Sequence, residues 1–116
     1  MKIKQYHIYL ADLEPSYGSV SGKVRPVVVI QTDMLNDVGH KSTLICPLTT
    51  NIINEDDAFP LRINLNKKAV GLKEDSDIMV DQARAIDNRR FIKHAGKLKH
   101  EHKMKLINNL KIILFE

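Results

Sequence analysis

The sequence has few of the residues and patterns that mark secreted, metal-bound or membrane proteins. Cys46 is the single cysteine, which excludes an internal disulfide and a cysteine-rich zinc site. No apolar run approaches the roughly 20 residues that cross a bilayer. Residues 6–13 are interrupted by His7 and Asp12, unlike the core of a signal peptide. A chain of 116 residues has no room for a second independent core. We therefore expect one domain, residues 1–116, in the reducing cytoplasm.

The positive charge is concentrated near the C terminus. The chain holds 18 Lys and Arg against 14 Asp and Glu, a net charge of +4. Residues 1–83 carry 9 cations and 11 acids, whereas residues 84–116 carry 9 cations and 3 acids. A basic helix face is often only solvated, but it also suits a polyanion or an acidic protein segment. Composition alone leaves both interpretations open.

Several short segments have the residue types and the alternation of β-strands. The run from Val27 to Ile30 is apolar on both faces, so we expect it in the centre of the core. Pro26 and Pro47 cannot donate to a ladder and indicate edge or irregular sections. Short strands joined by turn-rich loops predict a small barrel or a compact sandwich. The predicted strands cover residues 6–13, 24–31, 43–50, 60–65, 78–81 and 83–87.

The helical signals are fewer. Residues 32–41 are polar and predict a short helical turn followed by a loop. From about His100 the apolar residues change to helical spacing, which predicts one amphipathic C-terminal helix on a mainly β domain. The apolar stripe of this helix consists of Met104, Ile107, Leu110 and Leu114, widened by Leu106 and Ile113.

Metal and cofactor sites are not indicated. His100 and His102 are two residues apart on the predicted helix, so they point in different directions, and the remaining histidines show no ligand spacing. Acidic clusters at residues 55–57 and 74–77 could be imagined around Mg²⁺, but consecutive carboxylates in loops are more often solvated. We predict no metal and no cofactor.

One constellation suits a phosphate. A Ser/Gly-rich loop at residues 16–22 leads into Lys23 and Arg25, and arginine offers a planar fork of donors to phosphate oxygens. The next hydrophobic strand ends in Thr49 and Thr50, whose hydroxyls can also donate. If the two strands pair, Arg25 and Thr49 lie at one end of the sheet. The plain alternative is a surface arginine and two β-favouring threonines, and spacing alone favours it.

Ordered blocks along the chain resemble the MazF/PemK toxins, which are sequence-specific endoribonucleases of toxin–antitoxin systems. The similarity runs from residue 6 to the C-terminal helix in the order that the family shows. The blocks are IYLADL at 8–13 followed by Pro15, Gly18-Ser19, GKVRPVVVIQ at 22–31, CPLTT at 46–50, EDS at 74–76 and DQARAID at 81–87.

The resemblance implies an SH3-like barrel with a C-terminal α-helix (the MazF/CcdB-like toxin fold), working as a homodimer. It also implies metal-independent cleavage of single-stranded RNA and inhibition by a cognate antitoxin with an acidic segment. The family's catalytic arginine and threonine fall on Arg25 and Thr49. The family often has Glu where this chain has Val20, so that carboxylate is missing here. RNA contacts are expected at Ser19, Lys23, Thr50, Ser76, Asp81 and Gln82, with the 16–22 loop as a lid.

Two other functions are compatible with a small barrel. A gyrase-poisoning toxin binds a protein target and needs neither Arg25 nor Thr49, so it leaves RNA intact. A non-catalytic SH3-like module binds an acidic or RNA segment without cleaving it. The endoribonuclease hypothesis is preferred because its motifs coincide with the phosphate clamp.

Overall fold

The computed structural model describes residues 1–13, 24–57 and 61–116. The loop expected to act as a lid, with Ser19 and Lys23, lies outside these residues. Single 3₁₀ turns at Val80–Gln82 and Asn88–Arg90 lie on either side of the strand Arg84–Asp87. Along the described residues the elements are β1 (His7–Asp12), β2 (Val24–Val29), α1 (Asp33–Asn36), β3 (Ser42–Thr49), β4 (Arg62–Leu65), α2 (Lys67–Val70), β5 (Ser76–Met79), β6 (Arg84–Asp87), β7 (Phe91–Lys97) and α3 (His100–Phe115).

The strands form an antiparallel sheet in the order β4-β5-β3-β2-β1-β7, and β6 also pairs with β3. Strand β3 is therefore shared. On one edge its first half, Ser42–Ile45, pairs with β6, while Leu48 and Thr49 pair with β5. On the other edge residues 45–47 pair with β2. This mostly β architecture with a C-terminal helix agrees with the predicted fold class.

The two strand prolines lie where a missing N–H does least harm. Pro26 is opposite Leu10 of β1, and pairing of β2 with β3 begins only at Val27, so Pro26 precedes the two-sided part of its strand. Pro47 lies between the residues of β3 that pair with β6 and those that pair with β5. Both positions confirm the expectation of an edge or an interrupted ladder.

The core consists of two apolar clusters on opposite faces of β2 and β3. Val28 belongs to one cluster, with Leu106 of α3, and Val27 and Val29 belong to the other, with Tyr9. All three valines are completely buried, because alternate strand residues point to opposite faces and both faces are covered. The prediction that this run occupies the centre of the core is confirmed.

Helix α3 packs through part of the predicted stripe, because Leu106 is buried and Leu110 and Ile113 pack against the same core cluster. His102, Leu106 and Asn109 are buried, whereas Met104 and Leu114 of the predicted stripe are 52% and 61% exposed. The helix lies against β4 and the 80–82 turn, which selects a narrow face that includes one histidine and one asparagine. Among the described residues no helix is long and apolar enough to cross a membrane.

Two elements of the structure, β7 and α2, were not predicted from the sequence, and a third lies at a shifted position. Strand β7 has no clean alternation of buried and exposed residues, and α2 has only four residues, so neither gives a periodic signal. The predicted strand at 78–81 is instead Ser76–Met79 followed by a 3₁₀ turn. Strand β7 lies so close to the end of α2 that a Cβ on Gly96 would collide with the carbonyl oxygen of Val70.

Candidate active site

Arg25 and Thr49 lie at the same end of two neighbouring strands. The last pair between β2 and β3 joins Val27 to Pro47. The same register, continued by two residues, places Arg25 opposite Thr49. Both residues then continue the same face of the sheet, because alternate residues share a face, and each is half-buried. The strand pairing on which the phosphate-clamp hypothesis depends is therefore present.

The hydroxyl of Thr49 is oriented by the main chain. Its oxygen accepts a hydrogen bond from the N–H of Asn51, with an N–O distance of 3.1 Å. A hydroxyl has one hydrogen and two lone pairs, so this contact occupies a lone pair and leaves the hydrogen unused. Within the described ranges nothing accepts that hydrogen. The hydroxyl can therefore donate to an external oxygen such as that of a phosphate.

Asp77, the cross-strand partner of Thr49, is a fully buried carboxylate. Its Oδ2 accepts from the N–H of Ile53 at 2.8 Å and from Nη1 of Arg62 at 3.2 Å, and its Oδ1 accepts from the side-chain amide of Asn64. These donors offset the high cost of burying a charge. The expectation that the 74–77 acids are simply solvated is therefore wrong for Asp77. In the sequence, the alternation of apolar and polar residues at 60–65 was the available indication that polar side chains of this strand face Asp77.

A cavity of about 370 Å³ holds two of the predicted RNA contacts, Thr50 and Ser76. Thr50 is exposed, whereas Ser76 is 2% exposed and its hydroxyl donates to the carbonyl oxygen of Glu74 at 3.1 Å. Thr50 lies one residue beyond the end of β3 and lines this cavity, whereas Thr49 is not part of its described lining. The rest of the described lining is Leu10, Pro26, Gly71, Leu72, Lys73, Glu74, Lys93, His94 and Ala95.

The other two predicted contacts, Asp81 and Gln82, lie in a separate cavity of about 330 Å³ beside Arg62. Both are exposed, and the Gln82 side-chain amide donates to Asp81 Oδ2 at 3.4 Å. The predicted RNA contacts among the described residues thus fall in two separate cavities rather than in one. Their contact with RNA stays a prediction.

Cys46 is not available as a nucleophile. Burial, with a smaller contribution from the negative charge of Asp81, raises the pKa of its thiol to about 12. The thiolate is the reactive form, and it is absent at neutral pH with such a pKa. Cys46 is therefore not a candidate for the reactive group.

His7 and His94 are in contact, which their sequence spacing did not indicate. Nδ1 of His7 lies 2.9 Å from Nε2 of His94, because β1 and β7 pair. Burial, the neighbouring His94 and the cations of Lys4 and Lys97 lower the pKa of His7, against an opposing effect of Asp33. In the described part of the chain no third metal-ligating side chain joins any such pair.

The fold is that of the MazF toxins. The structure of MazF (Form-I) from Deinococcus radiodurans matches with a TM-score of 0.80 at 18% identity, over 100% of this chain and 99% of that chain. An endoribonuclease in complex with its cognate antitoxin, from Mycobacterial species, matches with a TM-score of 0.75 at 14% identity, over 97% and 94% of the two chains. The predicted fold class, a β-barrel-like sheet with a C-terminal helix, is confirmed.

The family follows from the sequence itself. Residues 4–114 match the model of the PemK-like, MazF-like toxins of type II toxin–antitoxin systems. The chain is also 41% identical over 87 residues to Endoribonuclease MazF of Staphylococcus epidermidis, covering 73% of this chain and 68% of that protein. This chain belongs to the PemK/MazF family of toxins, as its motifs indicated.

Proposed function

We propose that this toxin cleaves single-stranded RNA in the cytoplasm by attack of the RNA's own 2′-hydroxyl, with Arg25 and Thr49 at the scissile phosphate. The class of endoribonuclease, predicted from the sequence, is confirmed by family membership and by the relative named Endoribonuclease MazF. The observation that carries the proposal is that the two residues lie at the same end of two paired strands, together with the unused hydroxyl hydrogen of Thr49.

The proposed reaction needs no nucleophilic side chain. The 2′-oxygen attacks the adjacent phosphorus and loses its proton, and the bond to the 5′-oxygen breaks as that oxygen gains a proton. The products carry a 2′,3′-cyclic phosphate and a 5′-hydroxyl. Arg25 holds the phosphate and stabilises its developing charge, since a guanidinium stays protonated and cannot act as the base. Thr49 donates to a phosphoryl oxygen, and positioned donors of this kind stabilise the transition state.

Unpaired RNA suits an enzyme that is specific for sequence. Unstacked bases expose edges that side chains can read, whereas the deep major groove of an RNA duplex hides them. The two cavities offer lysine, hydroxyl, amide and carboxylate groups next to apolar surface, a combination that can bind a base and its phosphate. We assign Thr50, Ser76, Asp81 and Gln82 to RNA contacts on this basis.

The partners that we propose are a second copy of the chain and an antitoxin with an acidic segment. Structural neighbours include MazE–MazF of Deinococcus radiodurans and the endoribonuclease–antitoxin complex. The cations of residues 84–116 are largely exposed, which gives an acidic segment a matching surface. Sedimentation of the toxin alone, and with an acidic antitoxin peptide at two salt concentrations, tests both partners. A monomer, or a peptide affinity that does not change with salt, would contradict them.

The function is tested by brief incubation of the purified toxin with total RNA, followed by sequencing of the cut ends. We expect cuts at one short motif in single-stranded regions, with 5′-hydroxyl ends. Arg25→Ala and Thr49→Ala should each lower the rate by about 10²-fold or more while circular dichroism stays unchanged. Lys41→Ala is the control, because it removes a cation just beyond the opposite end of β3.

The outcomes separate the alternatives. Wild-type protein that leaves all RNA intact would exclude the endoribonuclease and favour a toxin that binds a protein target. Tight RNA binding without cutting would indicate a binding module. Cleavage by Arg25→Ala at the wild-type rate would show that the activity resides elsewhere in the chain.

A further inference from the structure

A chain of hydrogen bonds connects the Thr49 hydroxyl to a buried ion pair. Asn51 donates its N–H to the Thr49 oxygen at 3.1 Å. The carbonyl oxygen of the same Asn51 accepts from Nη1 of Arg62 at 3.2 Å. Both polar main-chain groups of Asn51 are therefore engaged, although the residue itself is exposed. The direction in which Thr49 presents its free hydrogen depends on this one residue.

Arg62 is in turn held by Asp77. The Nη1 atom that reaches Asn51 also lies 3.2 Å from Asp77 Oδ2, and the two side chains are 17% and 0% exposed. A guanidinium nitrogen of this type has two hydrogens, so one atom can donate to both acceptors. Asp77 Oδ2 also accepts from Ile53. The ion pair thus fixes residues 51 and 53, which follow Thr49 and Thr50 in the chain.

The position of this ion pair in the sheet is specific. Asp77 is the cross-strand partner of Thr49 on β3 and of Asn64 on β4. Replacing a buried ion pair by apolar residues of similar volume is often neutral or stabilising, so stability alone does not explain a charge here. A rigid contact that orients a neighbouring hydrogen-bond donor explains the charge, because small displacements of a reacting group greatly reduce rates.

We propose that Arg62 and Asp77 are positioning residues for the Thr49 hydroxyl, acting through the main chain of Asn51. This inference depends on the proposed role of Thr49. The arrangement keeps one Thr49 lone pair occupied and its hydrogen directed toward the phosphate. Neither side chain needs to touch RNA for this effect.

The test is Arg62→Lys, which keeps the positive charge but replaces the planar fork by a compact ammonium. Lysine can neutralise Asp77 but does not reproduce the geometry that also reaches Asn51. We expect kcat to fall by about 10- to 100-fold while KM for a short RNA substrate stays within about twofold. Asp77→Asn removes the charge that holds Arg62 and should also lower kcat.

The matched control is Lys105→Met. Lys105 Nζ lies 3.2 Å from Glu55 Oε1, so it contacts the same 51–57 segment but neither Asn51 nor Thr49. We expect its kcat to equal that of the wild type. Wild-type kcat in folded Arg62→Lys would overturn the proposal, and so would a raised KM at unchanged kcat, which would assign Arg62 to RNA binding.

If the variants misfold, the proposal can be tested by amide hydrogen exchange on the wild-type protein. The amide protons of Asn51 and Ile53 should exchange more slowly than those of Ile52 and Asn54, because the first two donate to Thr49 and Asp77, whereas the described residues offer no acceptor to the other two. Exchange at the unprotected rate in both would overturn the proposal. A wild-type toxin that does not cut RNA would instead refute the proposed function.

Discussion

Two threonines in strand β3 show how the two ends of one strand serve different purposes. Thr43 and Thr49 are six residues apart and continue the same face of the sheet. Thr43 is 1% exposed, and its hydroxyl donates to Asn88 Oδ1 at 2.6 Å. The half-buried Thr49 only accepts, from Asn51, and among the described residues nothing takes its hydrogen. One hydroxyl is satisfied inside the fold, and the other is oriented but left available.

The difference arises from what pairs with each half of β3. Pairing with β6 brings the turn after Asp87 against Thr43, where Asn88 also donates to the carbonyl oxygen of His40 at 2.7 Å. Pairing with β5 brings Asp77 beside Thr49, and that carboxylate uses its oxygens on other donors. The same residue type is therefore structural at one end and, in our proposal, reactive at the other.

The largest effect that tests this comparison is expected from Thr49→Val, which keeps the shape of the side chain and removes the hydroxyl. We expect the rate of RNA cleavage to fall by about 10²- to 10³-fold, as for loss of a transition-state donor. The urea midpoint of unfolding should stay near that of the wild type, because the one hydrogen bond that is lost, from the N–H of Asn51, is exposed to solvent. Full activity with a lowered midpoint would reverse the roles of the two ends.

An intermediate effect is expected from Thr43→Val, the identical change at the other end. It leaves the partly buried Asn88 Oδ1 without its donor, and the cost of about 1–3 kcal/mol for a fully buried unpaired acceptor sets the upper range of the loss in unfolding free energy. Urea unfolding should show this loss, while the kcat of the remaining folded protein stays at the wild-type value. Thr43→Val that unfolds like the wild type but cuts slowly would contradict the assignment.

The smallest effect concerns pH. Burial lowers the pKa of His102 from its ordinary value near 6.5, with contributions from Lys105 and Lys99 and an opposing one from Glu101. The unfolded chain therefore binds the proton more readily, so stability is complete above about pH 6.5 and falls as pH drops toward the lower folded pKa. Urea midpoints measured between pH 8 and pH 5 should show a smaller loss than Thr43→Val causes.

His102→Gln should reduce that pH dependence, and His100→Gln is its matched control because His100 is exposed two residues away. Part of the dependence should remain, since the pKa of His7 is also lowered. His102 Nδ1 accepts from the Lys99 N–H at 3.3 Å, a contact that only the neutral ring makes. An equal pH profile in wild type and His102→Gln would show that His102 does not contribute.

Local sequence patterns predicted the secondary-structure elements better than they predicted how those elements pack. The apolar run around Val28 and the alternation at residues 60–65 each lie within one strand, so sequence alone located them. The packed face of α3 could not be read in this way, because His102 and Asn109 are polar and their burial depends on β4 and the 80–82 turn. Strand β7 was missed for a similar reason, since its partner β1 defines it.

In the candidate site, too, local sequence predicted some features and only the packing of the chain decided others. The motifs around Arg25 and Thr49 determined the family, and residue chemistry marked both as phosphate contacts. Only the tertiary structure decided that they lie at the same end of two paired strands, that Thr50 lines a cavity whose described lining does not include Thr49, and that Asp77 is a buried anchor for Arg62. The physical reason is that residue type and periodicity act over a few neighbours, whereas strand register joins residues far apart in the chain, such as Val27 and Pro47.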